Sequence, residues 1–327
     1  MKTIRFFALL ASLLPALALA VPEHRAIRVA TPWPAQNAII AMLGYGQNIV
    51  GTSATAQRIP LFQQVYPAIA KVPVISVTSG HEINPEQVIA LGTQLLFLPE
   101  SMETPQSRLL QQAGVQVLTL RANSMQALRE RVTLSGKALG PDAERVASRY
   151  QRYFQRNVDL VRARLQDLPA EQRLKVYHSM GGSLTTTGRP SLNQDWMDLA
   201  GAVNVAEHWF QGKPNSRGEV SLEKIAQANP DVIVAMNQRD AALMRSSPQW
   251  QGVRAVQQQR VYVNPQGMFW WCRETSEEAL QFLWLAKTLY PQRFEDIDIA
   301  QETRRFYHDF FGINLSDEQV DAILHPQ

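Results

Sequence analysis

The sequence is poor in cysteine and in excess charge, and both shortages narrow the possible functions. Cys272 is the only cysteine, so the chain forms no internal disulfide, and 327 residues can bury a sufficient core without one. Lysine and arginine number 32 against 29 aspartates and glutamates, a formal net charge of +3. Proteins that bind a phosphate backbone usually carry a clustered basic surface, so this balance argues against nucleic acid as a partner.

Long apolar runs are also missing beyond the first twenty residues. Lys2 and Arg5 give a positive start, residues 6–17 are almost entirely apolar, and Ala18-Leu19-Ala20 supplies a cleavage site. This order is typical of a secretory signal peptide, residues 1–20, cleaved after Ala20. Its removal lowers the formal charge by two, from +3 to +1. No cysteine follows the cut to carry a lipid, so we expect a soluble periplasmic protein.

The sequence lacks the common catalytic motifs. There is no GxSxG segment, and the glycines at 44, 46 and 51 fit neither a dinucleotide-binding loop nor a P-loop. His81-Glu82 begins like a zinc peptidase motif, but Pro85 occupies the position of the second histidine. No nucleophile signature surrounds Cys272. We therefore expect a protein that is not an enzyme; a periplasmic metal-dependent enzyme using His81, Glu82 and His178 is the alternative.

Two similar modules dominate the rest of the sequence. Residues 81–100 and 218–237 each contain a loop, a short helix that begins near a glutamate (Glu86 or Glu223) and an apolar strand. Strands this apolar are usually covered on both faces, which indicates parallel sheets with ligand-facing loops at their carboxyl ends. The repetition predicts an α/β fold of two Rossmann-like lobes with central, mostly parallel sheets.

The apolar periodicity divides the chain into a first lobe at 21–141, a linking helix at 142–168 and a second lobe with a helical tail at 169–327. The linking helix should have about 25 residues and a length of about 38 Å, which makes it stiff. Three helices are expected after residue 276. Strands are predicted at residues 26–33, 48–54, 72–77, 95–98 and 115–120 in the first lobe, and at 174–180, 231–237 and 260–265 in the second.

Four phrases carry a family resemblance that extends over the mature chain. They are VSLEKIAQANPDVIVAMN (220–237), RVYVNPQGMFWW (260–271), LWLAKTLYPQRFEDIDI (283–299) and FYHDFFGINLS (306–316). In this order they resemble the periplasmic binding proteins of ABC importers for ferric siderophores, haem and cobalamin, whose two lobes are bridged by one long helix.

The resemblance implies a monomeric receptor without a cofactor, which delivers its ligand to an inner-membrane permease and its ATPase. Glu86 and Glu223 resemble the glutamates, one on each lobe, that dock onto permease arginines in that family. The alternative is that both are only acids at helix N-termini, where the helix dipole favours them.

The ligand is expected in the cleft between the lobes, against loops that follow the strands. Arg273 could hold an oxyanion or carboxylate, or could instead pair with Glu274 or Glu277. Of the adjacent Trp270 and Trp271, one should face the cleft and the other the core. His81 is a possible metal ligand, whereas His178 should be exposed or hydrogen-bonded. The predicted ligand-binding residues are Trp33, His81, Glu82, Tyr177, Met180, Asn237, Met268, Trp270, Trp271 and Arg273.

The identity of the cargo stays open at the level of sequence. Abundant aromatic residues and few pocket lysines favour an organic metal chelate, above all a ferric siderophore or related iron complex. Receptors of the same design for cobalamin, haem, a nickel chelate or molybdate are alternatives, and so is a sensor without transport. Tryptophan fluorescence in the presence of each candidate would distinguish them.

Overall fold

The first lobe is built on a parallel sheet of four strands. The computed structural model describes residues 27–76, 83–102, 105–212 and 216–327, with the side chains of residues 105 and 106 left aside. Strand order is β2-β1-β3-β4, and all the pairings are parallel. Such a sheet requires helices on its faces. The strands are β1 (Val29–Ala30), β2 (Ile49–Gly51), β3 (Leu95–Pro99) and β4 (Gln116–Leu120).

Helices of this lobe begin where the sequence supplies proline or a capping side chain. Pro34, Pro60 and Pro85 each lie in a first turn, where the missing N–H costs nothing. The Ser124 hydroxyl accepts a hydrogen bond from the Ala127 amide and starts the sixth helix. The helices are α1 (Pro34–Ile40), α2 (Ala54–Gln57), α3 (Pro60–Val65), α4 (Pro85–Ala90), α5 (Pro105–Gln112) and α6 (Met125–Leu139).

Three strand predictions in this lobe are wrong in extent, and the strand predicted at 48–54 has only the three residues of β2. The predicted strand at 26–33 has only the two residues of β1, because Pro34 begins α1 directly afterwards. Within the predicted strand at 72–77, the described residues form only single bridges, from Val74 to Thr52 and from Ser76 to Ile83. Pro73 lacks the N–H that a continuous ladder would use.

One long helix links the lobes. Helix α7 runs from Pro141 to Leu165 and has 25 residues. The sequence predicted that this helix ends at residue 168, but it ends at Leu165. Pro169 disfavours helical backbone at the residue before it. The predicted length is right because apolar residues recur at helical spacing along one buried face.

The second lobe repeats the design. Its parallel sheet has the order β10-β9-β5-β7, and β6 and β8 form a separate antiparallel pair. The elements are β5 (Lys175–Ser179), β6 (Thr185–Thr187), α8 (Leu192–Leu199), β7 (Val203–Asn204), β8 (Arg217–Glu219), α9 (Leu222–Ala228), β9 (Val232–Ala235), α10 (Gln238–Ser246), α11 (Arg254–Gln257) and β10 (Val261–Val263).

The tail packs back on the linking helix. It contains α12 (Glu278–Leu289), α13 (Ile299–Phe311) and α14 (Asp317–Leu324). The Tyr150 hydroxyl on α7 donates to the carbonyl of Ser276 at 2.8 Å, and the Asn157 amide donates to that of Ala279 at 2.8 Å. These bonds fix the tail against α7.

The largest cluster of buried apolar side chains among the described residues extends through both lobes, and each lobe has a smaller cluster of its own. The main cluster of buried side chains includes Phe97 on β3, Phe154 on α7, Val234 on β9 and Phe282 on α12. Because these residues belong to one continuous apolar cluster, a change in the angle between the lobes must disturb packed side chains. Among the described residues, no helix combines the length and apolarity that a membrane span requires.

Candidate functional site

The loops that follow β1, β5, β9 and β10 hold most of the predicted ligand-binding residues. Trp33 is half-buried and lies directly before α1. Met180 follows β5 and is 6% exposed. Asn237 is half-buried, and its side chain caps α10 by accepting from the Asp240 amide at 2.9 Å. The Asn237 carboxamide therefore already has a structural role.

Three predicted ligand contacts lie in the core instead. Tyr177, Met268 and Trp271 each have 0% exposure. The Tyr177 hydroxyl donates to the carbonyl of Ser183 at 2.9 Å, so its polar atom is also engaged. In this conformation the three side chains have no exposed surface, and their role in ligand binding stays a prediction. Trp270 is half-buried and is the member of the tryptophan pair with exposed surface.

A buried carboxylate shapes the loop after β10. Glu277 accepts hydrogen bonds from the Met268 amide at 2.6 Å and the Tyr307 hydroxyl at 2.7 Å, and also from Thr275. A Cβ on Gly267 would lie 1.8 Å from the Tyr307 hydroxyl oxygen, so only glycine fits there. Burial raises the pKa of Glu277, although these donors oppose the shift. The network holds the backbone that carries Trp270 and Arg273.

Arg131, which the sequence gave no reason to select, ties the lobes together below Trp33. Its guanidinium carbon lies 3.9 Å from the centre of the Trp33 ring. It donates to the carbonyl of Glu274, and Nη1 lies 3.6 Å from that residue's carboxylate. The same carboxylate accepts from the Asn123 amide at 2.6 Å. Burial lowers the pKa of Arg131 to about 10, but the group stays charged at neutral pH.

Arg273 does not form the acidic pair that was the alternative to a ligand contact. Glu274 bonds to the first lobe and Glu277 to its own loop, so neither neutralises Arg273. Across the described parts of the chain, no carboxylate lies within ion-pair distance of Arg273; its Nη1 atom lies 3.9 Å from the Met236 sulfur. A half-buried guanidinium thus remains available at the ends of the strands.

Arg217 on β8 is a second cation that sequence reasoning missed. Its Nη2 atom donates to the carbonyl of Met180 at 3.2 Å. Partial burial and the positive charge of Arg273 lower the pKa of Arg217. The only sequence signal was a basic residue beside Gly218 in a turn-rich segment, which is too common to select it.

His178 is neither exposed nor hydrogen-bonded, contrary to the expectation. It has 0% exposure, and neither ring nitrogen has a partner among the described residues. Its ring meets Trp196 edge-on at 5.1 Å. Burial and then the charge of Arg273 lower the pKa of His178 to about 3, so the ring is neutral. The reason is that β5 is covered on both faces.

The two predicted docking glutamates occupy equivalent positions. Glu86 in α4 and Glu223 in α9 are exposed, and each lies in the first turn of its helix. Capping side chains precede both, Asn84 in one module and Ser221 in the other. The hydrogen bond of its own backbone amide, followed by that of Ser221, lowers the pKa of Glu223.

The metal prediction concerns residues that lie outside the described parts of the chain. His81 and Glu82 both fall there. The described residues contain no group of three or more histidine, cysteine, aspartate or glutamate side chains placed to hold a metal ion. Cys272 is buried, and burial raises its thiol pKa, which opposes a role as a nucleophile.

Two protein sequences resemble this chain. The molybdate-binding protein MolA of Haemophilus influenzae is 29% identical over 167 residues, which are 50% of this chain and 46% of MolA, so the match spans about half of that relative. An uncharacterized ABC transporter substrate-binding lipoprotein of Bacillus subtilis, YvrC, is 22% identical over 278 residues, 82% of each chain.

Solved structures share the fold. A periplasmic solute binding protein from Veillonella parvula superposes with a TM-score of 0.79 at 22% identity, covering 91% of both chains. The structure of MolA bound to molybdate superposes with a TM-score of 0.78 at 20% identity, covering 89% of this chain and 94% of MolA. The family model described as "Periplasmic binding protein" matches residues 29–267, which is well over half of the sequence. The chain therefore belongs to the periplasmic binding protein family.

Proposed function

We propose that this protein is the solute-binding receptor of an ABC importer for an anionic, metal-bearing solute. It is exported by a signal peptide cleaved after Ala20, captures the solute in the periplasm as a monomer, and delivers it to an inner-membrane permease with its ATPase. Its action is binding and delivery, without covalent chemistry.

One observation carries the choice of an anion. Arg273 presents a half-buried guanidinium at the carboxyl ends of the strands, and no described carboxylate neutralises it. A charged group in such a place is usually paired, because burial without a partner is unfavourable. A guanidinium fork can bind two oxygens of an oxyanion or carboxylate at once. The geometry thus supports a ligand that brings negative charge to this position.

A tetrahedral metal oxyanion of the molybdate type is the cargo that the site supports best. Tyr177 and Trp271 are buried in the core, which reduces the aromatic surface available to a large organic chelate, and Met268 is buried as well. The exposed Arg217 adds a second cation, whose guanidinium contacts the Met180 carbonyl at the end of β5. An oxyanion needs such cations and hydrogen-bond donors more than flat apolar surface.

A ferric siderophore or related anionic iron chelate is the second candidate, and the half-buried faces of Trp33 and Trp270 favour it. Flat aromatic surface suits an organic ligand, while Arg273 would meet its carboxylate or catecholate oxygens. In that case His81 could contact the metal complex from the first lobe.

Titration of intrinsic tryptophan fluorescence would test the cargo. The purified mature protein is mixed with molybdate, tungstate, ferric siderophores, haem, cobalamin and nickel-histidine in parallel. We expect saturable binding of an anionic metal species and its loss in Arg273→Gln. The matched control is Arg173→Gln, which removes an equal charge at the amino end of β5 and should keep wild-type affinity. Equal losses of affinity in Arg273→Gln and Arg173→Gln would refute the anion site. Binding of uncharged ligands alone by the wild type would refute it as well.

Docking of the permease is assigned to Glu86 and Glu223, one exposed helix-start acid on each lobe. The variant carrying Glu86→Ala and Glu223→Ala should keep full ligand affinity. Cells in which it is the sole copy of this receptor should lose uptake of the ligand. Glu144→Ala with Glu318→Ala is the control, since both residues are also exposed first-turn acids. If the control loses as much uptake, or if the docking variant loses ligand affinity, the assignment is wrong.

A further inference from the structure

Arg217 reaches the proposed ligand site from a part of the chain that is separate from Arg273. It lies on β8, whose antiparallel partner is β6, and it stands opposite Thr187. From there its guanidinium donates to the carbonyl of Met180, the first residue after β5. The β6–β8 pair thus carries a cation to the carboxyl end of the central sheet.

The two arginines contact the ends of neighbouring strands. Strands β5 and β9 are paired, and Ser179 stands opposite Ala235. The residue after each strand is a methionine, and each methionine is in contact with one guanidinium: Arg217 at the Met180 carbonyl, 3.2 Å, and Arg273 at the Met236 sulfur, 3.9 Å. The adjacent strand ends therefore bring two positive charges close together.

Some arginines of this lobe are in ion pairs, whereas Arg173, Arg245 and Arg260 are in none among the described residues. Arg189 contacts Asp198 at 2.7 Å and Glu207 at 2.8 Å, and Arg254 contacts Asp231 at 2.7 Å. For Arg217, as for Arg273, no ion pair is formed with any carboxylate in the described residues. The position of Arg217 and Arg273 distinguishes them, because each contacts the residue that follows one of two paired strands. Two like charges at adjacent strand ends suit an anion with two negative charges.

We propose that Arg217 and Arg273 together form a charge-selecting pair that favours doubly charged over singly charged anions of the same shape. The proposal rests on the proposed function, because it concerns the same site. Arg273 provides the main contact, and Arg217 adds an interaction whose strength depends on the charge of the ligand. Specificity then arises from the number of charges as well as from the shape of the anion.

The size of the effect follows from electrostatics. A hydrogen bond to a charged group typically changes a dissociation constant by about tenfold or more. Since Coulomb energy is proportional to ligand charge, the free-energy effect on a monoanion is roughly half that on a dianion, which corresponds to about threefold. Loss of Arg217 should therefore reduce the preference for the dianion by about threefold.

Tungstate and perrhenate provide a suitable comparison, because both are tetrahedral oxyanions of similar size and they carry two and one negative charges. Dissociation constants are measured by calorimetry at pH 7.5 for the mature wild type, Arg217→Gln, Arg217→Lys, Arg273→Gln and the charge-matched control Arg173→Gln. We expect Arg217→Gln to weaken the binding of tungstate about tenfold and the binding of perrhenate about threefold. Arg217→Lys should keep most of the preference for tungstate, and Arg173→Gln should change neither constant.

The outcomes separate this proposal from the function on which it rests. Equal losses for the two anions in Arg217→Gln, or no loss for either, would overturn the charge-selecting pair while leaving an anion receptor in place. Binding of neither anion by the wild type would overturn the oxyanion cargo and this proposal with it. Loss of both only in Arg273→Gln would show that Arg273 acts alone.

Thermal unfolding without ligand excludes a merely structural role. Because Arg217 and Arg273 repel each other, Arg217→Gln should leave the melting temperature unchanged or raise it. If the hydrogen bond from Arg217 to the Met180 carbonyl mainly stabilises the fold, the melting temperature of Arg217→Gln should fall. A lower melting temperature together with equal losses of affinity for tungstate and perrhenate would refute the proposal.

Discussion

Replacing His178 by phenylalanine should remove part of the acid sensitivity of this protein. The imidazole lies on β5 with no exposed surface and no described hydrogen-bond partner, against Trp196. Burial and the charge of Arg273 lower its pKa to about 3 in the folded chain. In the unfolded chain an ordinary histidine has a pKa of about 6.5. The folded state therefore excludes a proton that the unfolded state binds.

The sign and magnitude follow from proton linkage. The contribution of a neutral His178 to stability is complete above pH 6.5 and is lost as the pH falls from 6.5 toward 3. The loss is about 1.4 kcal/mol for each pH unit in that range. At pH 5, which lies about 1.5 units below the unfolded pKa, His178 should have reduced the free energy of unfolding by roughly 2 kcal/mol relative to pH 7.

Urea denaturation at pH 5, 6, 7 and 8 gives the free energy of unfolding of the wild type and of His178→Phe. The difference between the two should shift by roughly 2 kcal/mol in favour of the variant between pH 7 and pH 5. His178→Leu is the control for side-chain size, because it changes packing differently but must give the same shift. Parallel pH profiles for wild type and both variants would refute the reasoning.

Two further predictions concern buried groups near the site. Burial first, and then the charges of Glu274 and Asp195, raise the pKa of Glu278 well above its ordinary value, so its destabilising effect grows as the pH rises above about 4.5. Glu278→Gln should stabilise the protein more at pH 8 than at pH 5 in urea titrations, and equal gains at both pH values would contradict this. The Cys272 thiol, buried and with a raised pKa, should resist Ellman's reagent in native buffer and react in guanidinium; stoichiometric labelling of the folded protein would revive a role as a nucleophile.

The sequence predicted the fold well because the helices and buried strands repeat a strong local pattern. Strands β3 and β9 are continuous apolar runs that follow similar short helices, α4 and α9. Element ends were less predictable, since proline decides them residue by residue. Pro34 cuts the first strand short, and Pro169 excludes the last predicted residues of the linking helix.

Side-chain orientation at the site was harder to predict. Alternation along a strand separates core from surface only when one face is exposed. Both faces of β5 are covered, so Tyr177 and His178 are buried although they are adjacent. Arg131 and Arg217 become important only through contacts with residues distant in sequence, Glu274 and Met180. No local motif encodes such contacts, and a single sequence therefore could not select these arginines.

The rigidity of the molecule bears on how it can select a ligand. Arg131 joins the first lobe to Glu274 of the second, and Tyr150 and Asn157 bind the linking helix to the tail. Large closure would break these bonds and disturb the shared core, so we expect only modest movement between the lobes. A receptor that moves little cannot gather its binding groups around the ligand, and these groups must already be in place.

Preorganisation explains why two arginines would be kept side by side in the absence of ligand. Their repulsion destabilises the free protein slightly, but it is relieved when a dianion binds, so the relief adds to the affinity for the doubly charged ligand. A monoanion relieves less of it. Both arginines belong to the second lobe, so the distance between them is set by the paired ends of β5 and β9 and by the β6–β8 pair. The preference for a dianion should therefore persist whatever movement occurs between the lobes.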